Sequence, residues 1–279
     1  MTTVSDLQRI AQGGEAEIFG WPTGEVLRLL REPGEQSAMR IERECAAMAA
    51  AASAGVRIPA IGGIVTVDGR SGVLLERIAG PDLLTVVGKK PWLVWRSGSL
   101  TGRTHARLNG VPAPAGLPAS RDALRRTIEW LAPNDPPLFA FALEVLAQLP
   151  DGDRLCHGDF HPGQLLMDGD TPVTIDWPNA TRGDPLGDYA RTRMLLSMGT
   201  LPPGTSVPLQ ALASVGRRVM VAAYVRSYER EWGAPIDRER LEMWETVHEA
   251  ARLAEGYEPE RDKIVARLRG KNALSAGKG

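Results

Sequence analysis

Over residues 1–80, short apolar and β-branched runs alternate with glycine-containing turns. This period-two pattern predicts strands at Leu7–Ala11, Glu17–Trp21, Glu25–Arg31, Gly62–Val67 and Gly72–Ile78. Pro22-Thr23-Gly24 and Asp68-Gly69-Arg70 supply tight turns, so the strands read as an antiparallel meander. Glu35–Ala54 interrupts it with no internal Gly or Pro and a run of Ala, Met, Glu and Arg, which predicts one long helix.

From Pro91 onward the apolar spacing becomes helical, over Trp92–Leu108, Ser120–Leu131 and Pro136–Leu149 and again over Leu209–Trp232, Asp237–Glu255 and Glu258–Arg269. Asn272–Gly279 reads as a frayed tail. Between the two helical sets, Asp151–Asp188 crowds glycine, proline and aspartate together around one short strand signal at Pro172–Ile175. Dense polar turns inside a helical region are where chemistry usually sits. The expected architecture is α+β: a small antiparallel β lobe with one helix over 1–80, and a larger, mainly helical lobe over 81–279.

Composition narrows the function. With 43% hydrophobic and 24% charged residues the chain has the makings of a packed globular core. A formal net charge of -1 without like-charge runs gives no field for nucleic acid or an anionic membrane. Cys45 and Cys156 are too few and too far apart for a disulfide framework or a cysteine zinc site. The apolar run Ala46–Gly55 is too short to span a bilayer, so a cytoplasmic location is expected, with no obligatory protein partner evident.

The strongest local signal is Leu155–Leu166, LCHGDFHPGQLL, followed by Val173–Trp177, VTIDW. Apolar runs flank a polar loop, so Asp159 is offered on a turn and Asp176 at the end of a strand. A hairpin between them would return both carboxylates to one place. Phosphoryl transfer needs such a pair, one carboxylate for the acceptor hydroxyl and one for Mg²⁺ against the phosphates. His157-Gly158-Asp159, with a side-chain amide five residues beyond, resembles the catalytic loop of kinases, and its HGD form is similar to aminoglycoside phosphotransferases and the related choline and fructosamine kinases. Gly183-Asp184-Pro185-Leu186-Gly187-Asp188 resembles the GDP-containing stretch of the same family.

The resemblance implies a protein-kinase-like fold and transfer of a phosphoryl group from ATP or GTP to a hydroxyl of a small molecule. Asp159 would be the base, and Asp176 and Gln164 the Mg²⁺ ligands. Asp184 and Asp188 would cap a helix or fix the loop, and His157 would orient it. His161 fits either loop packing or substrate contact. Only eight positions run from Asp176 to Gly183. That leaves no long activation segment of the kind a protein kinase uses to hold a peptide.

Two positions depart from the family pattern. Gln164 stands where the pattern has Asn, with one methylene more reach. No lysine precedes Lys89, so Arg28 in VLRL takes the place of the first-lobe lysine, with Glu44 as its helix partner and Glu42 the next candidate. Gly13 and Gly14 form either a turn covering the triphosphate with N–H groups or a plain hairpin turn. Glu76–Gly80 resembles the hinge whose backbone holds the adenine edge. The departures leave a second reading open, a pseudokinase-like protein that binds nucleotide with little catalysis. The acceptor is expected between the catalytic loop and the helices after Leu209, which carry Tyr224, Tyr228, Trp232, Trp244, Glu245 and Glu249. Helical spacing more readily places most of those aromatics in the core. Charges of both signs interleave from Ser206 onward, so no concentrated acidic surface for a polycation is seen, and antibiotic resistance stays an open use of the activity.

Overall fold

The structure, a computed structural model, describes residues 2–198, 206–256 and 258–276. Strands β1 (Arg9–Gln12), β2 (Ala16–Gly20), β3 (Val26–Leu30), β4 (Ile61–Val67) and β5 (Arg70–Leu75) form one antiparallel sheet, with helix α1 (Glu35–Ser53) between β3 and β4 in sequence. The order is β1-β2-β3-β5-β4. This corrects the expected meander: after α1 the chain enters at the outer edge as β4, and β5 returns inside it to pair with β3. Asp68 and Gly69 both take positive φ, 49° and 74°, which makes the two-residue turn between β4 and β5. Ile41 and Met48 on α1 are buried, so the helix covers one face of the sheet.

The helical region begins with α2 (Leu83–Lys89), which the sequence reading did not separate and which Asp82 caps by accepting from the Thr85 N–H at 2.9 Å. It continues through α3 (Val94–Asn109), α4 (Ser120–Leu131) and α5 (Pro136–Gln148). Then come β6 (Arg154–Cys156), the hairpin β7 (Leu165–Asp168) and β8 (Thr171–Thr174), and β9 (Thr181–Gly183), which pairs with β6. Helices α6 (Pro185–Met198), α7 (Val207–Trp232), α8 (Arg238–Arg252) and α9 (Glu258–Ala276) complete it. The expected frayed tail is helical up to Ala276, and its remaining positions 277–279 lie outside the described residues.

Small residues set the approach of α3 to α7. A Cβ on Gly102 would stand 2.3 Å from the Tyr224 carbonyl oxygen, so glycine lets the two backbones meet. That contact brings His105 and Asn109 of α3 beside Tyr224 and Tyr228 of α7, all fully or almost fully buried. Among the described residues no helix is long and apolar enough to cross a membrane.

Candidate active site

The loop between β6 and β7 carries the HGD triplet. Gly158 sits at φ +80°, and a Cβ there would come within 2.5 Å of the Asn179 carbonyl oxygen, so this position excludes every other residue on two counts. Asp188, at the start of α6, holds the loop from behind. Its Oδ2 accepts from His157 N–H at 2.7 Å, Asn109 Nδ2 at 3.0 Å and His105 Nε2 at 2.9 Å, and its Oδ1 accepts from Gly158 N–H at 2.9 Å. Burial pushes its carboxyl pKa upward, but the His105 and Asn109 donors outweigh that and hold it well below the usual carboxylate range. His157 is buried, its Nε2 bonded to the Ile175 carbonyl at 3.0 Å, and burial lowers its pKa, so it is a neutral strut. His161 closes a local turn by accepting from the Gly163 N–H at 3.0 Å, with its Nε2 3.9 Å from Asp159.

Asp159 projects forward from this fixed loop into a cavity of about 480 Å³. Asp176 opens into a separate cavity of about 780 Å³ between the sheet and the helical region. The β7–β8 hairpin, turning at Gly169, brings Asp176 back to Gln164: Ile175 N–H donates to the Gln164 carbonyl at 3.0 Å, and Gln164 Nε2 donates to Asp176 Oδ2 at 3.1 Å. Asp176 has φ +65°, a strained setting for a non-glycine residue and one typical of functional positions. Asn179 lines both cavities and marks where they meet.

The larger cavity gathers the other sequence candidates. Gly13, Gly14, Arg28 and Glu76 line it together with Gln164 and Asp176. Gly13 and Gly14 sit in the β1–β2 connection, closed by Gly13 N–H donating to the Ala16 carbonyl at 2.8 Å. Arg28 pairs with Glu44 at 2.9 Å, both side chains over nine-tenths buried, while Glu42 is exposed. Burial raises the Glu44 carboxyl to about 7, with Arg28 pulling the other way and Asp176 adding to the rise. The Glu76 side chain is engaged away from any ligand, accepting from Arg57 at 2.6 and 2.9 Å and from the Ala60 N–H at 2.9 Å. Arg77, Ile78 and Ala79 line the cavity beside it.

The acceptor expectations need correction. Tyr224 and Tyr228 are core residues, bonded to His105 at 2.8 Å and Asn109 at 2.9 Å. Glu249 is buried against Lys271 and Arg267, Glu245 pairs with Arg193, and Trp232 lies on a different cavity. Trp244 backs the 480 Å³ cavity from within the core, its Nε1 donating to Asp184 at 2.9 Å. Apart from His161, the individual side chains around Asp159 were not singled out in the sequence. Arg191 bridges Asp159 at 3.3 Å and Glu255 at 2.7 Å, and α4 contributes Ser120, Leu124 and Thr127 to the opposite wall. A helical position three residues after Asp188 was the one available signal for Arg191. Glu255 lies too far along the chain for any local pattern to connect it with Asp159.

The profile of the phosphotransferase enzyme family (APH) matches residues 7–244. No curated protein matches the chain in sequence. Among solved structures, a thermostable mutant of aminoglycoside phosphotransferase APH(4)-Ia in ternary complex with ADP and hygromycin B is similar over 97% of this chain and 92% of that one, at 16% identity and TM-score 0.60. The GDP and kanamycin complex of APH(2")-IIia is similar over 100% and 95%, at 16% identity and TM-score 0.58. Aminoglycoside phosphotransferase APH(3'')-Id from Streptomyces rimosus is similar over 88% and 92%, at 15% identity and TM-score 0.57. At these identities the likeness is one of fold.

Proposed function

We propose, from the premise that the chain belongs to the phosphotransferase enzyme family, that it moves the γ-phosphoryl group of ATP or GTP to a hydroxyl of a small molecule. The observation that carries this reading is the division of two aspartates between two cavities that meet at Asn179, Asp159 in one and Asp176 in the other. The same reading makes 1–80 the nucleotide-binding lobe and 81–279 the catalytic and acceptor-binding lobe of a cytoplasmic enzyme.

In this mechanism the nucleotide enters the larger cavity, its base edge on the Glu76–Ala79 backbone and its phosphates beneath the Gly13-Gly14 turn. Arg28, steadied by Glu44, presents its guanidinium to the phosphates. Asp176 and Gln164 stand side by side on this cavity with the Gln164 Nε2 toward Asp176; the Asp176 carboxylate, joined by the Gln164 amide oxygen once that amide rotates, would hold Mg²⁺, which takes one or two protein oxygens and keeps water and phosphate for the rest. When bound, that ion would neutralise charge on the phosphates. Asp159 accepts the proton of the acceptor hydroxyl as its oxygen bonds to the γ-phosphorus and the bond to the β-phosphate oxygen breaks, releasing nucleoside diphosphate. Arg191 holds one Asp159 oxygen and leaves the other for the hydroxyl.

Asp159→Asn is expected to keep nucleotide affinity and lose at least about a hundredfold in kcat, the scale of a positioned base. Calorimetry and nucleoside diphosphate release on a screen of hydroxylated metabolites and antibiotics measure both. A variant that keeps most of its turnover removes Asp159 from this role. The second reading, nucleotide binding without useful catalysis, draws support from the Gln164 amide hydrogen-bonded to Asp176. It predicts tight nucleotide binding, no turnover on any acceptor, and no rescue by Gln164→Asn.

A further inference from the structure

The charge inventory around Asp159 bears on which acceptor the site takes, on the reading above that the 480 Å³ cavity is the acceptor site. Two independent features agree. The cavity carries an apolar patch, Ala123 and Leu124 of α4 with Ala251 and Ala254 at and just beyond the end of α8, beside the hydroxyls of Ser120 and Thr127. The carboxylates that reach the cavity are already engaged. Asp188 is enclosed by four donors. Glu255 is held by Arg191 at 2.7 Å and by Arg252, and Asp159 itself stands 3.3 Å from Arg191.

An ammonium group entering this cavity would shed its water without gaining a carboxylate free of other partners. We infer that the acceptor is a hydroxylated molecule that carries no ammonium group and lays an apolar face against Leu124 and its neighbours. Specificity here is set by what the cavity lacks, a spare negative charge, as much as by what it offers.

The test uses a matched pair, hexyl β-glucoside and hexyl β-glucosaminide, which differ by one amino group for one hydroxyl. Calorimetric titration of the full-length protein loaded with Mg²⁺ and a non-hydrolysable ATP analogue is expected to show the glucoside at least about tenfold tighter, a difference of about 1.4 kcal/mol. Its affinity is expected to stay flat between about 0.05 and 0.5 M salt, since no ion pair is formed. Leu124→Glu, which sets an unengaged carboxylate in the wall, should reverse the order. Equal or tighter binding of the glucosaminide by the unaltered protein overturns the inference, and so does failure of both compounds to bind at about 10 mM, where a millimolar site would be filled. Transfer assays with ATP separate this from the parent reading. Selective binding of the glucoside without Asp159-dependent phosphorylation would leave the acceptor class standing and remove the kinase. Efficient phosphorylation of the glucosaminide in preference to the glucoside would do the reverse.

Discussion

Gln164 bends back onto the carboxylate beside which it is expected to work, its Nε2 3.1 Å from Asp176 Oδ2. The extra methylene makes that contact possible, and it occupies an Asp176 oxygen. Asparagine, one methylene shorter, would release that oxygen and present its own amide oxygen closer to the backbone. We therefore expect Gln164→Asn to hold or raise kcat and to lower the Mg²⁺ concentration giving half-maximal rate. A collapse of activity with unchanged circular dichroism would mean that the site is shaped around glutamine. Titration behaviour at two other residues gives a second expectation. The Glu44 carboxyl is raised by burial from 4.5 to about 7, so across that window the folded state binds more protons than the unfolded one, and stability falls as pH rises. The His248 imidazole is lowered by burial and by Arg191 from 6.5 to about 3, so across its window the unfolded state binds more protons and stability rises with pH. Burial lowers His157 and His161 as well, in the same sense as His248. The two trends oppose each other between 4.5 and 6.5. Glu44→Gln removes one of them while keeping an acceptor for Arg28, so its melting temperature should climb more steeply with pH there than that of the unaltered protein. Parallel curves in a pH series of thermal melts would remove the assignment to Glu44.

At the scale of elements, the HGD loop is held in place because three helices converge on it through one carboxylate. Asp188 of α6 is bound by His105 and Asn109 of α3, and these are bound in turn by Tyr224 and Tyr228 of α7. His105 also stacks on Phe160 at 4.3 Å between ring centres, which fixes the loop from its other side. Asp188→Asn keeps the shape but replaces one acceptor oxygen by a donor amide facing groups that already donate. The expected loss is about 1–3 kcal/mol of stability or more, the range for leaving buried hydrogen-bonding groups unsatisfied, together with loss of turnover as Asp159 loses its support. Urea titration and kcat measure the two. A variant within about 1 kcal/mol of the parent, an ordinary surface-substitution effect, would mean that the network is ornamental. The sequence made the forward half of this arrangement legible, because HGD and IDW are local and their turn chemistry is strong. The rear half was not, since His105 and Asn109 lie on a helix with no signature of its own, and hydrogen bonds between elements leave no periodic trace. The tyrosines show the same limit. Their spacing fixed a helical face, but only the α3–α7 contact decides that they brace a loop rather than reach the Asp159 cavity.

For the whole molecule, period-two and period-3.6 patterns were enough to separate the sheet with its helix from the helical region. The order of strands was not readable, because β4 and β5 joined by a two-residue turn look alike whether β5 ends inside or outside. Nor was the wall of the Asp159 cavity, built from α4, α6 and the end of α8, segments far apart in sequence. The larger cavity lies between the sheet and the helical region and takes residues from both: Gly13, Gly14 and Arg28 from one side, Gln164 and Asp176 from the other. A ligand that fills it must tie the two parts together, and that has a thermodynamic consequence. A nucleotide that binds only the folded protein stabilises it by about 2.7 kcal/mol at about a hundred times its Kd. For a chain of this size that raises Tm by about 4–5 °C. Mg²⁺ with ATP or GTP is therefore expected to shift a single unfolding transition upward by that amount, and chelation of the metal should cancel most of the shift. Asp176→Ala should abolish the Mg²⁺-dependent part without lowering the Tm of the free protein by more than a few degrees, because its side chain lies at an open cavity rather than in the core. Differential scanning calorimetry measures all three. If Asp176→Ala retains the full shift with Mg²⁺, the metal is held elsewhere. If nucleotide instead splits the transition in two, only one part of the molecule grips it, and the cavity between the parts is not where it binds.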